Sequence, residues 1–128
     1  MSYNHHSVSI HFANSMLKGA RLNGLNEQQL LSESGLNSEL LNNQEVRITP
    51  MQLSRLVQSI QRHGDDDYLG MGSHPCRFGV FGLMARQVVH CTDLRQVFKQ
   101  AVFFYNLLVP ASHLSITEEG DSAIFTLN

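Results

Sequence analysis

The chain has 128 residues, 42% of them hydrophobic, which suits one domain with a moderate core. Nine Lys and Arg residues against eleven Asp and Glu give a formal net charge of −2. This charge argues against the basic surface that a DNA-binding domain carries. The sequence shows two cysteines, no signal-peptide pattern and no apolar run near the roughly 20 residues of a membrane span, so we expect a cytoplasmic chain with free thiols and no membrane contact.

Helical spacing dominates the first part of the chain. Apolar residues recur every three or four positions between Ser9 and Asn23, although Val8, Ile10 and Phe12 could also alternate in a strand. A second helix is predicted between an N-cap at Asn26 and a stop at Gly35. Residues 36–41 indicate a further brief helical turn.

The clearest helix start in the sequence lies at Thr49. Thr49 is a favourable N-cap, Pro50 suits the first helical position, and Gln52 completes a capping box. Apolar residues then mark one buried face up to Gly64, where the helix is expected to end. The three aspartates that follow, at positions 65–67, are interpreted as a solvated turn within a polar loop over 64–77.

Two more helices and a hairpin are predicted after this loop. One helix should run over 78–90, and a longer one should be capped by Thr92 and end at Pro110. Residues 113–117 and 123–127 have strand character, with a turn at 119–121 between them. The predicted fold class is therefore α+β, a helical N-terminal two-thirds followed by an antiparallel β-hairpin that belongs to a larger antiparallel sheet.

The last strand is a candidate for self-association. A lone hairpin is marginally stable in water and has two unpaired edges. We therefore expect Ile124, Phe125 and Leu127 to form a strand edge that pairs with another copy in a homodimer, unless further strands of the same protein cover it.

Motifs that carry catalysis or bind metals are incomplete. The glycines around positions 70–72 and 79–82 lack the rest of a nucleotide-binding fingerprint, and they fit a tight loop and close helix packing at Gly79 and Gly82. Two His/Cys groups, His74 with Cys76 and His90 with Cys91, lack the repeated spacing of a zinc site. The sequence thus predicts no metal, no cofactor and no enzyme activity.

Aromatic residues are concentrated between positions 78 and 105. Because Phe104 and Tyr105 belong to a run of rings that covers more than one helix face, some of these rings should meet a ligand or a partner as well as the core. Arg86 could anchor an anionic group, or it could be an ordinary surface arginine. The candidate effector-binding residues are Phe78, Phe81, Arg86, Phe104 and Tyr105.

Several segments, in a fixed order, resemble a known family. They are Leu30 to Leu36, Glu45 to Thr49, Leu69 to Met71, Phe81 to Ala85 and Thr92 to Phe98, followed by Tyr105 and Leu108. In order and spacing these segments resemble the arabinose-binding domain of AraC-type transcription regulators, in the subgroup similar to ornithine-utilisation regulators.

The resemblance implies a sensory domain that precedes two helix-turn-helix units. On this basis the whole chain, 1–128, is expected to be one domain or the first part of an effector-sensing domain. The DNA-binding units lie outside it, so DNA would be contacted only through a C-terminal domain. The implied partners are a small-molecule effector and a second copy, and arabinose is not favoured because members of the family respond to varied molecules. The alternative is an oligomerisation fragment without a small-molecule ligand.

Overall fold

The computed structural model describes residues 6–110 and 113–128. Two compact units divide the chain, with the boundary between Phe78 and Gly79. The prediction that residues 1–128 form one domain, or the first part of one, stays a prediction. Residues 1–5, which bear on the expectation of no signal peptide, lie outside the described part.

The N-terminal unit is built from four helices and one short strand pair. The strands β1 (Val8–Ser9) and β2 (Arg47–Ile48) are antiparallel, with Val8 opposite Ile48. The competing strand interpretation of the first residues is thus correct for two positions, and the helix begins directly afterwards. The helices are α1 (Ile10–Leu22), α2 (Glu27–Ser34), α3 (Ser38–Leu41) and α4 (Pro50–Gly64).

The predicted caps of α2 and α4 are confirmed. The Asn26 side chain accepts a hydrogen bond from the Gln29 backbone N–H, and Gly35 ends α2 in the left-handed conformation. At α4, the Thr49 hydroxyl accepts from the Gln52 N–H while the Gln52 side chain accepts from the Thr49 N–H. These reciprocal bonds satisfy N–H groups that a helix start leaves without an intrahelical partner.

One hydrophobic core lies within the N-terminal unit. It collects the apolar faces of α1, α2 and α4, joined by Leu69 from the following loop. Burial of these side chains is the main stabilising contribution available to the unit. The buried members are Ile10, Ala13, Leu17, Ala20, Leu30, Leu31, Leu36, Ile48, Leu56, Ile60 and Leu69.

The C-terminal unit consists of two helices followed by a hairpin. They are α5 (Val80–Val88), α6 (Leu94–Leu108), β3 (Leu114–Glu119) and β4 (Ser122–Leu127). The predicted fold class is confirmed: 53% of the described residues are helical, and the antiparallel hairpin lies at the C-terminal end. Among the described residues β3 and β4 pair only with each other, so the larger sheet stays a prediction.

Two predicted helix starts in this unit are wrong by one or two residues. Helix α5 begins at Val80 rather than Phe78, because Gly79 has a φ of 97° that no helix accommodates. Helix α6 is capped by Asp93 rather than Thr92, since the Asp93 carboxylate accepts from the Gln96 N–H at 2.8 Å. The Thr92 N–H instead donates to the Gln96 side chain, which reaches back over the cap.

Candidate functional site

The predicted effector-binding residues are spread over both units. Phe78 ends the N-terminal unit, where its backbone N–H donates to the Asp65 carboxylate at 3.2 Å. Phe81 and Arg86 lie on α5, and both side chains are exposed. Phe104 and Tyr105 are half-buried on α6, with their rings edge to face at 6.1 Å between centroids. Within the C-terminal unit, α5 packs against α6.

A cleft of about 440 Å³ opens elsewhere in the C-terminal unit, between the start of α6 and the tip of the hairpin. Its size falls in the range of small-molecule sites. It combines apolar side chains with charged groups at its rim. The lining residues are Leu94, Arg95, Phe98, Ile116, Glu118, Gly120, Asp121, Ser122 and Ala123, so the aromatic set predicted from the sequence is not part of this cleft.

Two side-chain contacts join α6 to the hairpin beside this cleft. The Phe98 ring packs against the Phe125 ring at 6.0 Å, and Arg95 forms an ion pair with Glu118. The hairpin turns through Gly120 and Asp121, and the positive φ of Gly120 (59°) suits the first position of a two-residue turn. The cleft is therefore bounded by a helix on one side and by a tight turn on the other.

The other end of the hairpin is tied to α6 by one side chain. The Asn106 Nδ2 donates to the Leu114 carbonyl oxygen at 2.8 Å, and the Asn106 Oδ1 accepts from the Leu114 N–H at the same distance. The carboxamide thus satisfies both backbone groups of Leu114, as a neighbouring strand would. Nothing in the sequence distinguished Asn106 from other polar residues of the helix.

The three predicted strand-edge residues lie on β4 but on opposite faces of the hairpin. Phe125 stands opposite Ile116 on the face that meets α6, and Leu127 is on the same face because strand side chains alternate. Ile124 lies on the other face, beside polar neighbours. All three are exposed, with 49%, 68% and 45% of the Phe125, Leu127 and Ile124 side chains accessible.

In the N-terminal unit, the interpretation of the three aspartates as a solvated turn is wrong for Asp66. Its side chain is only 6% exposed, and its carboxylate accepts backbone N–H bonds from Tyr68, Gly70 and Cys76 at 2.7 to 2.9 Å. A buried carboxylate is tolerated when such donors replace its water. Asp66 therefore organises the loop from 66 to 76 instead of facing solvent.

The same loop presses closely on α1. A side-chain carbon at Gly70 would lie 2.1 Å from the Asn23 Nδ2, so the Asn23 side chain would have to move, and the φ of 72° at this position itself favours glycine. Within the loop, burial raises the pKa of the Cys76 thiol, which keeps this cysteine protonated at neutral pH. A protonated, buried thiol is a poor nucleophile and a poor metal ligand.

The described residues contain neither a candidate metal site nor a helix that could span a membrane. Across residues 6–110 and 113–128 no three His, Cys, Asp or Glu side chains are grouped so that they could hold a metal ion. In the same residues, no helix combines the length and the apolar character needed to cross a membrane. The expected absence of a metal and of a cofactor stays a prediction.

The family model described as the arabinose-binding domain of AraC transcription regulator, N-term, matches residues 24–128. The chain therefore belongs to this family, and the resemblance inferred from the ordered segments is confirmed. It is a sensory regulatory domain of an AraC-type regulator, a class that implies a small-molecule effector and a C-terminal DNA-binding domain. No curated protein and no solved structure matches the chain.

Proposed function

We propose that the chain is a non-catalytic, cytoplasmic effector-sensing and dimerisation domain, which binds a small molecule and thereby controls DNA binding by a C-terminal domain of an AraC-type regulator. The observation that carries the proposal is the family match over residues 24–128. A net charge of −2 supports assigning DNA contact to another domain.

The cleft of about 440 Å³ beside α6 is the site that we propose for the effector. Leu94, Phe98 and Ile116 offer apolar contact, while Arg95 and Glu118 offer a cation and a carboxylate at the rim. This lining suits a small molecule that has both an apolar part and a polar group. The aromatic residues Phe81, Phe104 and Tyr105, with Arg86 and Phe78, are the alternative placement of the same effector.

Binding in this cleft can influence the last strand. Ala123 lines the cleft and belongs to β4, so a ligand there contacts the strand proposed for self-association. A ligand shifts a regulator between two states only if it binds one state more tightly. Contact with β4 gives the effector a direct way to favour or oppose the dimer.

The test is a thermal-shift screen of the 128-residue chain against amino acids, sugars and fatty acids. A ligand of the proposed site should raise the Tm of the unaltered chain and of Leu107→Trp, but not of Leu94→Trp. The two leucines form a matched pair, because both lie on α6 and are 72% (Leu94) and 69% (Leu107) exposed, yet only Leu94 lines the cleft.

The Tm responses of the variants show which residues contact the effector. Loss of the ligand response in Arg86→Ala and Phe104→Ala, with Leu94→Trp unaffected, would move the effector to the aromatic set. If no compound of the panel shifts the Tm while the chain dimerises, the effector proposal fails and the oligomerisation fragment without a ligand is favoured.

A further inference from the structure

The hydrogen-bond pattern of the hairpin defines which backbone groups point outward. His113 and Asn128 exchange two hydrogen bonds of 3.3 and 3.0 Å. In an antiparallel pair, hydrogen-bonded and non-hydrogen-bonded positions alternate, so the next pair, Leu114 with Leu127, points its N–H and C=O groups away from the partner strand. On β4 the outward-pointing residues are therefore Ala123, Phe125 and Leu127.

The outer edge of β3 is protected. At Leu114 the Asn106 carboxamide occupies both outward backbone groups. Farther along the strand, Glu119 places a carboxylate at this edge, and Glu118 beside it carries one that is paired with Arg95, so a second strand added there would have to accommodate these charged groups. Helix α6 also packs against β3 within the unit.

The outer edge of β4 has neither kind of protection. Its sequence, Ser122 to Leu127, contains no charged residue and no proline, which are the usual devices against edge pairing. Among the described residues, no hydrogen-bond partner faces the outward groups of Ala123, Phe125 and Leu127. The Phe125 and Leu127 side chains beside this edge are half-exposed to exposed.

We propose that β4 pairs antiparallel with β4 of a second copy, about a twofold axis that passes by Phe125. In this register Phe125 stands opposite Phe125 of the second copy, and Ala123 stands opposite its Leu127. Both positions of each pair present outward N–H and C=O groups, so the register satisfies every outward group of the strand. A small side chain opposite a large one on the α6 face also avoids crowding between the copies.

The result is a four-stranded sheet with the order β3, β4, β4, β3, whose outer edges are the two protected β3 strands. A closed pair of this kind leaves no unprotected edge for further addition. This inference rests on the dimerisation part of the proposed function and adds the surface, the orientation and the register.

The test uses opposite charges at position 125 in the 128-residue chain. Phe125→Lys and Phe125→Glu should each weaken self-association at least about tenfold in sedimentation equilibrium, because like charges then face each other across the axis. An equimolar mixture of the two variants should regain a dimer containing one copy of each, since Lys then faces Glu. Ile124→Lys, on the other face of β4, should still dimerise.

A charge at position 125 would also remove the ring contact with Phe98, so a second variant tests the β4 edge without changing that contact. Ala123→Pro removes one outward N–H and breaks no bond to β3, so it should weaken the dimer while circular dichroism stays unchanged. If the unaltered chain dimerises but Phe125→Lys and Ala123→Pro do so equally well, the β4 surface is wrong and the proposed dimerisation stands. A monomer at millimolar concentration would overturn both the β4 surface and the proposed dimerisation. Effector binding would still be tested separately by the thermal-shift screen.

Discussion

The Glu33 carboxylate on α2 and the His63 ring on α4 lie in hydrogen-bonding contact, with Nε2 at 2.9 and 3.0 Å from the two carboxylate oxygens. The same carboxylate accepts a hydrogen bond from the Ser59 hydroxyl and one from the Gln29 amide at 3.1 Å. These bonds, above all the one from Ser59, lower the pKa of Glu33 from 4.5 to about 2. A single carboxylate thus links two helices of the N-terminal unit through groups that prefer its charged form.

This link predicts acid sensitivity of the N-terminal unit. Because the pKa of Glu33 is lower in the folded chain than in the unfolded chain, its contribution to stability is complete above pH 4.5 and is lost as the pH falls toward about 2. We expect Glu33→Gln to have a lower urea midpoint than the unaltered chain at pH 6, and the difference to shrink between pH 4.5 and 2. Urea unfolding at several pH values measures this.

The size of the effect at Glu33 is limited by solvent, since a third of its side chain is exposed. Glu39→Gln, which removes an exposed carboxylate from α3, is the matched control and should change the midpoint little at any of these pH values. A constant difference between Glu33→Gln and the unaltered chain from pH 6 to 2 would contradict the assignment.

Replacing Asp66 should affect stability more than replacing Glu33, and the effect is not tied to one range of pH. Asp66→Ala leaves three backbone N–H groups without their acceptor, two of them on Tyr68 and Gly70 and one on the buried Cys76. We expect a loss of about 3 kcal/mol in the free energy of unfolding, because hydrogen bonds to a charged group are strong and buried donors are costly when unpaired. Urea unfolding at pH 7 measures the loss.

The matched control for this change is Asp121→Asn, which alters an exposed aspartate in the hairpin turn. Its free energy of unfolding should stay within about 0.5 kcal/mol of the unaltered chain. If Asp66→Ala were equally mild, Asp66 would not be the residue that organises the loop.

Local signals allowed much of the helical architecture to be predicted. The capping box at Thr49 and Gln52 and the glycine at 35 are satisfied by bonds within a few residues, so the sequence alone locates the ends of α4 and α2. The hairpin is predictable for the same reason, since its turn and its alternating strands are adjacent in the chain. The strand pair of Val8 with Ile48 escaped prediction because it joins residues 40 positions apart.

The candidate site was harder to predict, because its geometry depends on contacts between elements. Asp65, Asp66 and Asp67 look alike in the sequence, and only the fold of the loop buries one of them. The role of Asn106 depends on where β3 passes the end of α6. Aromatic content directed the sequence interpretation to Phe104 and Tyr105, whereas the cleft is formed by the other end of α6 and the hairpin tip.

The cap of α6 offers a test between adjacent residues. Asp93→Ala removes the carboxylate that accepts from the Gln96 N–H and should cost about 1 kcal/mol in the free energy of unfolding. Thr92→Ala leaves that bond in place and should change stability by less than about 0.5 kcal/mol. Hydrogen exchange at the first turn of α6 should accelerate in Asp93→Ala alone. If Thr92→Ala lost as much stability as Asp93→Ala, the assignment of the cap to Asp93 instead of Thr92 would be wrong.

Two glycines give opposite predictions from the same substitution. Gly79 and Gly82 were expected to mark a tight loop and close helix packing, but a side-chain carbon at either position would meet nothing within 4 Å, so the expected close packing is wrong. Since Gly82 lies inside α5, Gly82→Ala should raise the free energy of unfolding by about 0.5 to 1 kcal/mol. Gly70→Ala combines a φ of 72° with a collision with the Asn23 side chain and should lower it by more than about 1 kcal/mol.

Urea unfolding of both variants under one set of conditions makes the comparison. A stabilised Gly82→Ala that dimerises as well as the unaltered chain would show that α5 lies open at this position in the dimer. Destabilisation of Gly82→Ala at high protein concentration but not at low concentration would mean that a second copy packs against α5, and would direct the search for the dimer surface to that helix.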